Sequence, residues 1–237
     1  MVRQVSSQQT VAELRAAIRQ WQGKSVRSAD GVVSTGCLAL DELFPAQGIR
    51  RGSLIEWLGM NEIGGAVTLS LVASRAVLPP EHPLVLIDRP RELFPLALQG
   101  LGLDLGRLVL IHPKTERDAL WACEEALRCS GVGLVWMRIE RLSGTGFRRL
   151  QLAAESGGTI GFFVRPEQAR HQPSWAEARF VVRPVASQGT SYRFEIEMAN
   201  SQGWPRRSGS EILIDNVQGT IHDVSSFSSA LPVPVVS

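Results

Sequence analysis

The pattern that most restricts the fold is a set of short, continuous apolar runs separated by helix-length segments: Leu84 to Asp88, Leu108 to Ile111, Leu134 to Ile139 and Ile160 to Val164. A strand with one wet face alternates polar and apolar residues, whereas a run that is apolar throughout suits a strand covered on both faces, as in a parallel sheet. The segments between the runs have helical character. Thr115-x-x-Asp118 reads as a capping box that opens a helix through Cys129, with Ala119, Leu120, Cys123, Ala126 and Leu127 facing inward. A helix is expected from Phe147 to Glu155, and Pro90 suits the first turn of another over Arg91 to Gln99. Strands alternating with such helices imply right-handed βαβ units, and hence an α/β fold with a mostly parallel twisted sheet flanked by helices.

From Phe180 the rhythm changes. Phe180 to Val185, Tyr192 to Met198 and Glu211 to Ile214 are strand-like and have no helices between them, which predicts an antiparallel extension of the sheet. Tyr192 to Met198 alternates strictly, so Arg193, Glu195 and Glu197 are expected to face solvent. The chain divides into an N-terminal helix and linker (1–30), an α/β domain (31–215) and a serine-rich tail (216–237). In the first part, Val11, Leu14, Ile18 and Trp21 share a helical stripe that Gly23 ends. That stripe docks either on its own domain or on a partner chain.

A turn that has lost its chemistry narrows the function. Gly59-Met60-Asn61-Glu62-Ile63-Gly64-Gly65-Ala66 follows a strand-like run, Leu54 to Leu58, and precedes an apolar helical run, Val67 to Val77. It keeps the two glycines of G-x-x-x-x-G-K-[ST] at the right spacing. Where that motif supplies a lysine for the phosphates and a hydroxyl for Mg²⁺, this chain has Gly65 and Ala66, and Glu62 adds negative charge. No cofactor is expected. Gly59, Gly64, Gly65 and Ala66 read as a tight turn at a helix start, with a weak anion site as the alternative.

Composition excludes several classes. With 237 residues, 44% of them hydrophobic, the chain can bury a large core, and a net charge of +2 is too small to imply a polyanionic partner. Arg50-Arg51, Arg148-Arg149 and Arg206-Arg207 are either solvated faces or local phosphate contacts. Cys37, Cys123 and Cys129 form no C-x-x-C pair, and their odd number argues against a disulfide framework. No signal-like segment and no apolar stretch of about 18 residues is present, so a cytoplasmic location without membrane contact is expected. The four histidines are dispersed, and no metal site is expected. Asp88, at the end of a buried run, reads as a hydrogen-bonded structural carboxylate. Trp57, Trp121 and Trp136 read as core, and Trp175 and Trp204 as exposed contacts.

Several stretches together resemble the RecA recombinase core: Val33 to Asp41, Gly48 to Glu56 leading into the degenerate turn, Leu101 to Asp104 with Leu108 to Pro113, and Ala119 to Gly131. Asp118 to Arg128, Phe147 to Glu155 and Gly161 to Pro166 look more like ImuA, a RecA-like family of bacterial SOS mutagenesis cassettes. The resemblance implies a non-catalytic accessory protein of error-prone translesion DNA synthesis, with an ImuB-like polymerase-related partner and contacts to RecA or single-stranded DNA. A SulA-like inhibitor of cell division, binding the tubulin-like division GTPase, is the alternative.

The chain departs from the recombinase pattern at the residues that carry chemistry. Arg138 ends the strand that should present the Mg²⁺-ordering aspartate. Pro90 stands where the catalytic carboxylate belongs, with Glu92 the nearest substitute, and Arg165 replaces a nucleotide-sensing glutamine. No ATP hydrolysis and no extended ATP-dependent homofilament are therefore expected. Single-stranded DNA contacts are expected in the two loops at the carboxyl end of the sheet, where open α/β sheets place ligands: Ser143 to Arg149 and Arg165 to Trp175, with Arg148, Arg149, Arg165 and Arg170 as phosphate contacts and Trp175 as a stacking surface. Val11, Leu14, Ile18 and Trp21 are the partner-docking candidates.

Overall fold

The computed structural model describes residues 3–5, 31–60, 65–187, 191–199, 210–215 and 219–224. The partner-docking candidates Val11, Leu14, Ile18 and Trp21, together with Gly64 and Trp204, lie outside the described residues.

The buried runs form the centre of one sheet. In chain order its strands are β1 (Arg3–Val5), β4 (Leu54–Gly59), β5 (Leu84–Ile87), β6 (Leu108–Ile111), β7 (Leu134–Arg138), β8 (Ile160–Pro166), β9 (Ala178–Val185), β10 (Tyr192–Met198), β11 (Ser210–Asp215) and β12 (Thr220–Asp223). A separate two-stranded ribbon pairs β2 (Val32–Val33) with β3 (Ile49–Arg50). The large sheet has the order β1-β6-β5-β7-β8-β4-β9-β10-β11-β12. Its pairings are parallel from β1 to β9 and antiparallel from β9 to β12.

The expected antiparallel extension is present, and the structure adds two details to it. The run beginning near Phe180 is β9, which lies parallel to β4 and turns the sheet antiparallel only through its other neighbour, β10. The sheet also extends past residue 215, because β12 pairs with β11. In β10, Phe194 and Ile196 are buried, Glu195 is exposed, and Arg193 and Glu197 are half-buried in cross-strand ion pairs with Glu211 and Arg183.

Helices cover both faces. On one side, α1 (Leu38–Asp41), α2 (Ala66–Val77) and α3 (Pro95–Gly100) pack on Leu84, Leu86, Trp136, Phe162 and Phe180; on the other, α4 (Glu116–Arg128) and α5 (Gly144–Gly157) pack on Val85, Ile87, Val109, Val135 and Phe163. The alternation of faces along each strand explains why runs such as Leu84–Ile87 are apolar throughout. Trp57 and Trp136 are buried as expected, and the Trp136 indole N–H donates to Ser70 Oγ at 2.8 Å; Trp121 is only half-buried.

Local signals fixed several boundaries. Thr115 caps α4 by accepting the Asp118 amide, and Ser143 caps α5 by accepting the Gly146 amide. The helix expected from Arg91 begins instead at Pro95, because both oxygens of the buried Asp88 carboxylate are taken by the amides of Glu92 and Leu93. Those bonds hold residues 89–94 in irregular backbone, with Arg91 at φ +62°. Asp88 is thus a structural carboxylate. Asp41 acts similarly, accepting from the Thr35 amide and from the hydroxyls of Ser34 and Thr35, which closes the loop before α1.

The α4–α5 contact depends on a glycine. A Cβ on Gly157 would stand 2.1 Å from the Leu127 carbonyl oxygen. Gly157→Ala is therefore expected to force the helices apart at a cost of about 1–3 kcal/mol. A thermal melt within a degree of the unmodified protein would contradict this packing.

Candidate functional site

The carboxyl ends of β4, β7 and β8 meet at a cleft of about 390 Å³ lined by Gly59, Ala66, Arg138, Glu140, Arg141 and Arg165, among others. Open α/β sheets place ligands at this end. Gly59 ends β4, and Ala66 begins α2. Residues 61–64 lie outside the described residues, but both banks of the turn are defined.

Among the described residues, the geometry does not suit the lysine and metal ligands of a working nucleotide loop. Gly65, the N-cap of α2, adopts φ +72°, and a Cβ there would stand 2.1 Å from Cε1 of the buried Phe194 on β10. An aromatic ring therefore fills the space that the lysine side chain of a working loop needs to leave the backbone. The carboxylates are committed elsewhere. Asp88 caps backbone amides, and Glu92 is bonded at 2.7 Å to Arg138, the residue that ends β7 where a metal-ordering aspartate is required. The cation and its neighbouring acid neutralise one another, and no carboxylate of this set is left to hold Mg²⁺.

Behind the cleft lies a buried ion triad. Glu56, in the middle of β4, is fully buried; its Oε1 accepts from Arg165 Nη1 on β8 at 2.5 Å, and its Oε2 accepts from Arg179 Nε on β9 at 2.5 Å. Ser174 Oγ donates a further bond to Oε2 at 2.8 Å. The arginines then hold the loop that joins β8 to β9. Arg165 donates to the Gln172 side chain, while Arg179 donates to the carbonyls of Ala169, Arg170 and Gln172. One buried carboxylate so connects three adjacent strands to one loop.

This triad corrects one sequence expectation. Arg165 has no exposed side-chain surface and serves Glu56 and Gln172 rather than standing on the surface for a phosphate. The other candidates do lie outside. Arg148 stacks over the Trp175 ring, 4.8 Å from its centroid, and Trp175 is 48% exposed. The expected loop from Ser143 to Arg149 is instead the start of α5, and its Arg148 meets the segment after β8 through the Trp175 ring. Arg148 also donates to Gln151, Arg149 is paired with Glu124 at 2.5 Å, and Arg170 lies 3.6 Å from Glu167.

Sequence reasoning missed Glu56, Arg179 and Phe194. The available signal was Glu56 itself, a charge inside the apolar run Leu-Ile-Glu-Trp-Leu, which demands a buried counter-charge. Burial pushes all three cysteine thiols up, so none is a ready thiolate at neutral pH. Among the described residues no group of His, Cys, Asp and Glu is arranged to hold a metal, and no helix is long and apolar enough to cross a membrane.

Strand order, the glycine-bracketed turn at the end of β4 and the antiparallel extension define a RecA-like α/β protein. Comparison with known proteins agrees. No family model matches the chain, but it is 33% identical over 113 residues to the RecA protein of Borreliella afzelii, covering 48% of this chain and 30% of that one. It is 31% identical over 140 residues to the ImuA protein of Caulobacter vibrioides, covering 57% of each. The chain is thus similar to ImuA and RecA proteins over the residues matched. The matches span under a third of the RecA protein and just over half of ImuA.

Two substitutions follow. Glu56→Gln strands two buried guanidiniums and is expected to cost about 3–5 kcal/mol, read as a large drop in melting temperature; an unchanged melt would remove the triad from its central place. Gly65→Lys with Ala66→Thr restores the motif letters yet is expected to destabilise the fold by about 1–3 kcal/mol, since the new side chain meets Phe194. A more stable protein that gains Mg²⁺-dependent ATP turnover would show that the ring yields readily.

Proposed function

We propose that this protein is a non-catalytic RecA-like accessory protein of damage-induced, error-prone translesion DNA synthesis, and that it assembles with an ImuB-like polymerase-related partner. The likeness to ImuA supplies the process. The observation that carries the non-catalytic part is Phe194 pressed against Gly65, accompanied by the Arg138–Glu92 pair. Phosphoryl transfer depends on positioned cations and a metal, and substitution of lysine, hydroxyl and metal ligand together removes most of that stabilisation.

RecA and single-stranded DNA are further contacts in this reading. The Arg148–Trp175 stack, with Arg149 and Arg170 nearby, supplies an aromatic face and phosphate-directed charge at the carboxyl end of the sheet. Without nucleotide to join protomers, extended homofilaments do not form, and the protein works inside a mixed complex in the cytoplasm.

Tagged protein isolated from DNA-damaged cells is expected to bring down the polymerase-related partner without added nucleotide. Light scattering of the purified protein with ATP and single-stranded DNA is expected to show no filament growth. Recovery of the tubulin-like division GTPase in place of a polymerase-related protein would overturn the reading.

A further inference from the structure

The Asp88 carboxylate fixes how the chain leaves β5. It accepts the amides of Glu92 and Leu93, holds Arg91 at φ +62°, and delivers Pro95 to the first turn of α3. Leu93 packs against the core and Leu98 is buried, so the backbone between them is pinned at both ends. Two large side chains of that stretch stand in water: Phe94 is 63% exposed and Leu96 62%. A lone exposed leucine is ordinary, but an aromatic and an aliphatic side chain two residues apart on pinned backbone form an apolar patch of the kind that marks an interaction surface.

Cations stand on the same stretch. Arg89 and Arg91 are both exposed, and among the described residues neither enters an ion pair or a side-chain hydrogen bond. Arg89 also lines the small pocket shared by Glu116 and Glu140, without bonding to either. The one acid of the stretch, Glu92, is bonded to Arg138 at 2.7 Å. Residues 89–97 thus offer an apolar centre with guanidiniums beside it, the composition of an interface core and its polar rim.

The charge says what sort of occupant fits. The longer segments of this chain outside the described residues do not complement it: residues 6–30 carry Arg15, Arg19, Lys24 and Arg27 against Glu13 and Asp30, residues 200–209 carry Arg206 and Arg207, and residues 225–237 carry no charge. The complement has to come from another molecule. Leu96 gives a nucleic-acid base nothing to stack on, whereas an apolar side chain of a peptide gains from Phe94 and Leu96 alike. We infer that residues 89–97 are a docking strip for an acidic segment of a partner protein, whose apolar side chain rests on Phe94 and Leu96 and whose carboxylates meet Arg89 and Arg91. The backbone of the strip is set before the partner arrives, so little ordering opposes binding. The inference stands apart from the proposed role in translesion synthesis, since it fixes the chemistry of the partner and not its name.

Site-specific photocrosslinking in the cells that make the protein tests it. The full chain carrying Phe94→p-benzoylphenylalanine or Leu96→p-benzoylphenylalanine is irradiated with and without DNA damage, and the joined peptide is sequenced by mass spectrometry. The expected product is a segment of another protein with more Asp and Glu than Lys and Arg and an apolar residue at the point of joining. A synthetic peptide of that sequence is then titrated with the purified protein. Arg89→Glu with Arg91→Glu is expected to weaken its binding at least about tenfold with an unchanged thermal melt, and added salt is expected to weaken binding to the unmodified protein. If that variant melts early, Phe94→Ser with Leu96→Ser carries the test, with the same loss expected. Absence of a product in both conditions overturns the inference. So does joining to this chain's own residues, to a second copy or to a cationic or uncharged segment, and so does a peptide whose affinity ignores the charge reversal. Loss of oligothymidylate binding on the same reversal, with no protein joined, assigns the strip to nucleic acid and overturns it as well. Co-isolation of the polymerase-related partner without a product at 94 or 96 sinks the strip and leaves the proposed function intact; a product with a different acidic protein keeps the strip and gives that function no support.

Discussion

The carboxylate of Glu56 is the constraint on which the functional end of this protein depends. A fully buried glutamate in the central strand is tolerable only with complete compensation, and it has that compensation: two guanidiniums and a hydroxyl satisfy its oxygens. The arginines come from the strands on either side, so the triad ties β8, β4 and β9 across the sheet. Arg165 Nη2 and the Nη groups of Arg179 reach the side chain of Gln172 and the carbonyls of Ala169, Arg170 and Gln172, which sets the course of the loop carrying Trp175. A fixed internal charge therefore holds that loop.

The same substitution of internal contacts for ligand contacts recurs around the cleft. Arg138 and Glu92 satisfy each other, Asp88 satisfies two amides, and Phe194 occupies the space beside Gly65. Among the described residues, Arg138, Glu92 and Asp88 thus already have partners within the protein. A site rebuilt in this way gains rigidity at the expense of switching, since a nucleotide with no differential contacts cannot shift a conformational equilibrium.

Much of this was legible in the sequence, and the rest was not for identifiable reasons. The cap at Thr115 and the buried runs depend on neighbours along the chain, so local pattern was enough. The start of α3 was misplaced because Asp88 competes for the amides of Glu92 and Leu93, an interaction no propensity encodes. The direction of β9 depends on its non-local partner β4, and strand composition cannot report it. Arg165 reads as a phosphate contact because it opens a loop at the carboxyl end of the sheet, where open α/β sheets place ligands. Only the pairing of β8 with β4 shows that its charge turns inward to Glu56. At the degenerate turn, the missing lysine and hydroxyl were visible at once; the ring that fills their place comes from a strand more than a hundred residues later.

The account stands or falls on whether the cleft still takes nucleotide. Calorimetric titration of the purified protein with a non-hydrolysable ATP analogue, with and without Mg²⁺, measures this directly. The structure predicts no saturable heat in either condition and no dependence on the metal. Stoichiometric, Mg²⁺-dependent binding would contradict it, because that result requires Phe194 to leave Gly65 and a carboxylate among Asp88 and Glu92 to abandon its present partner.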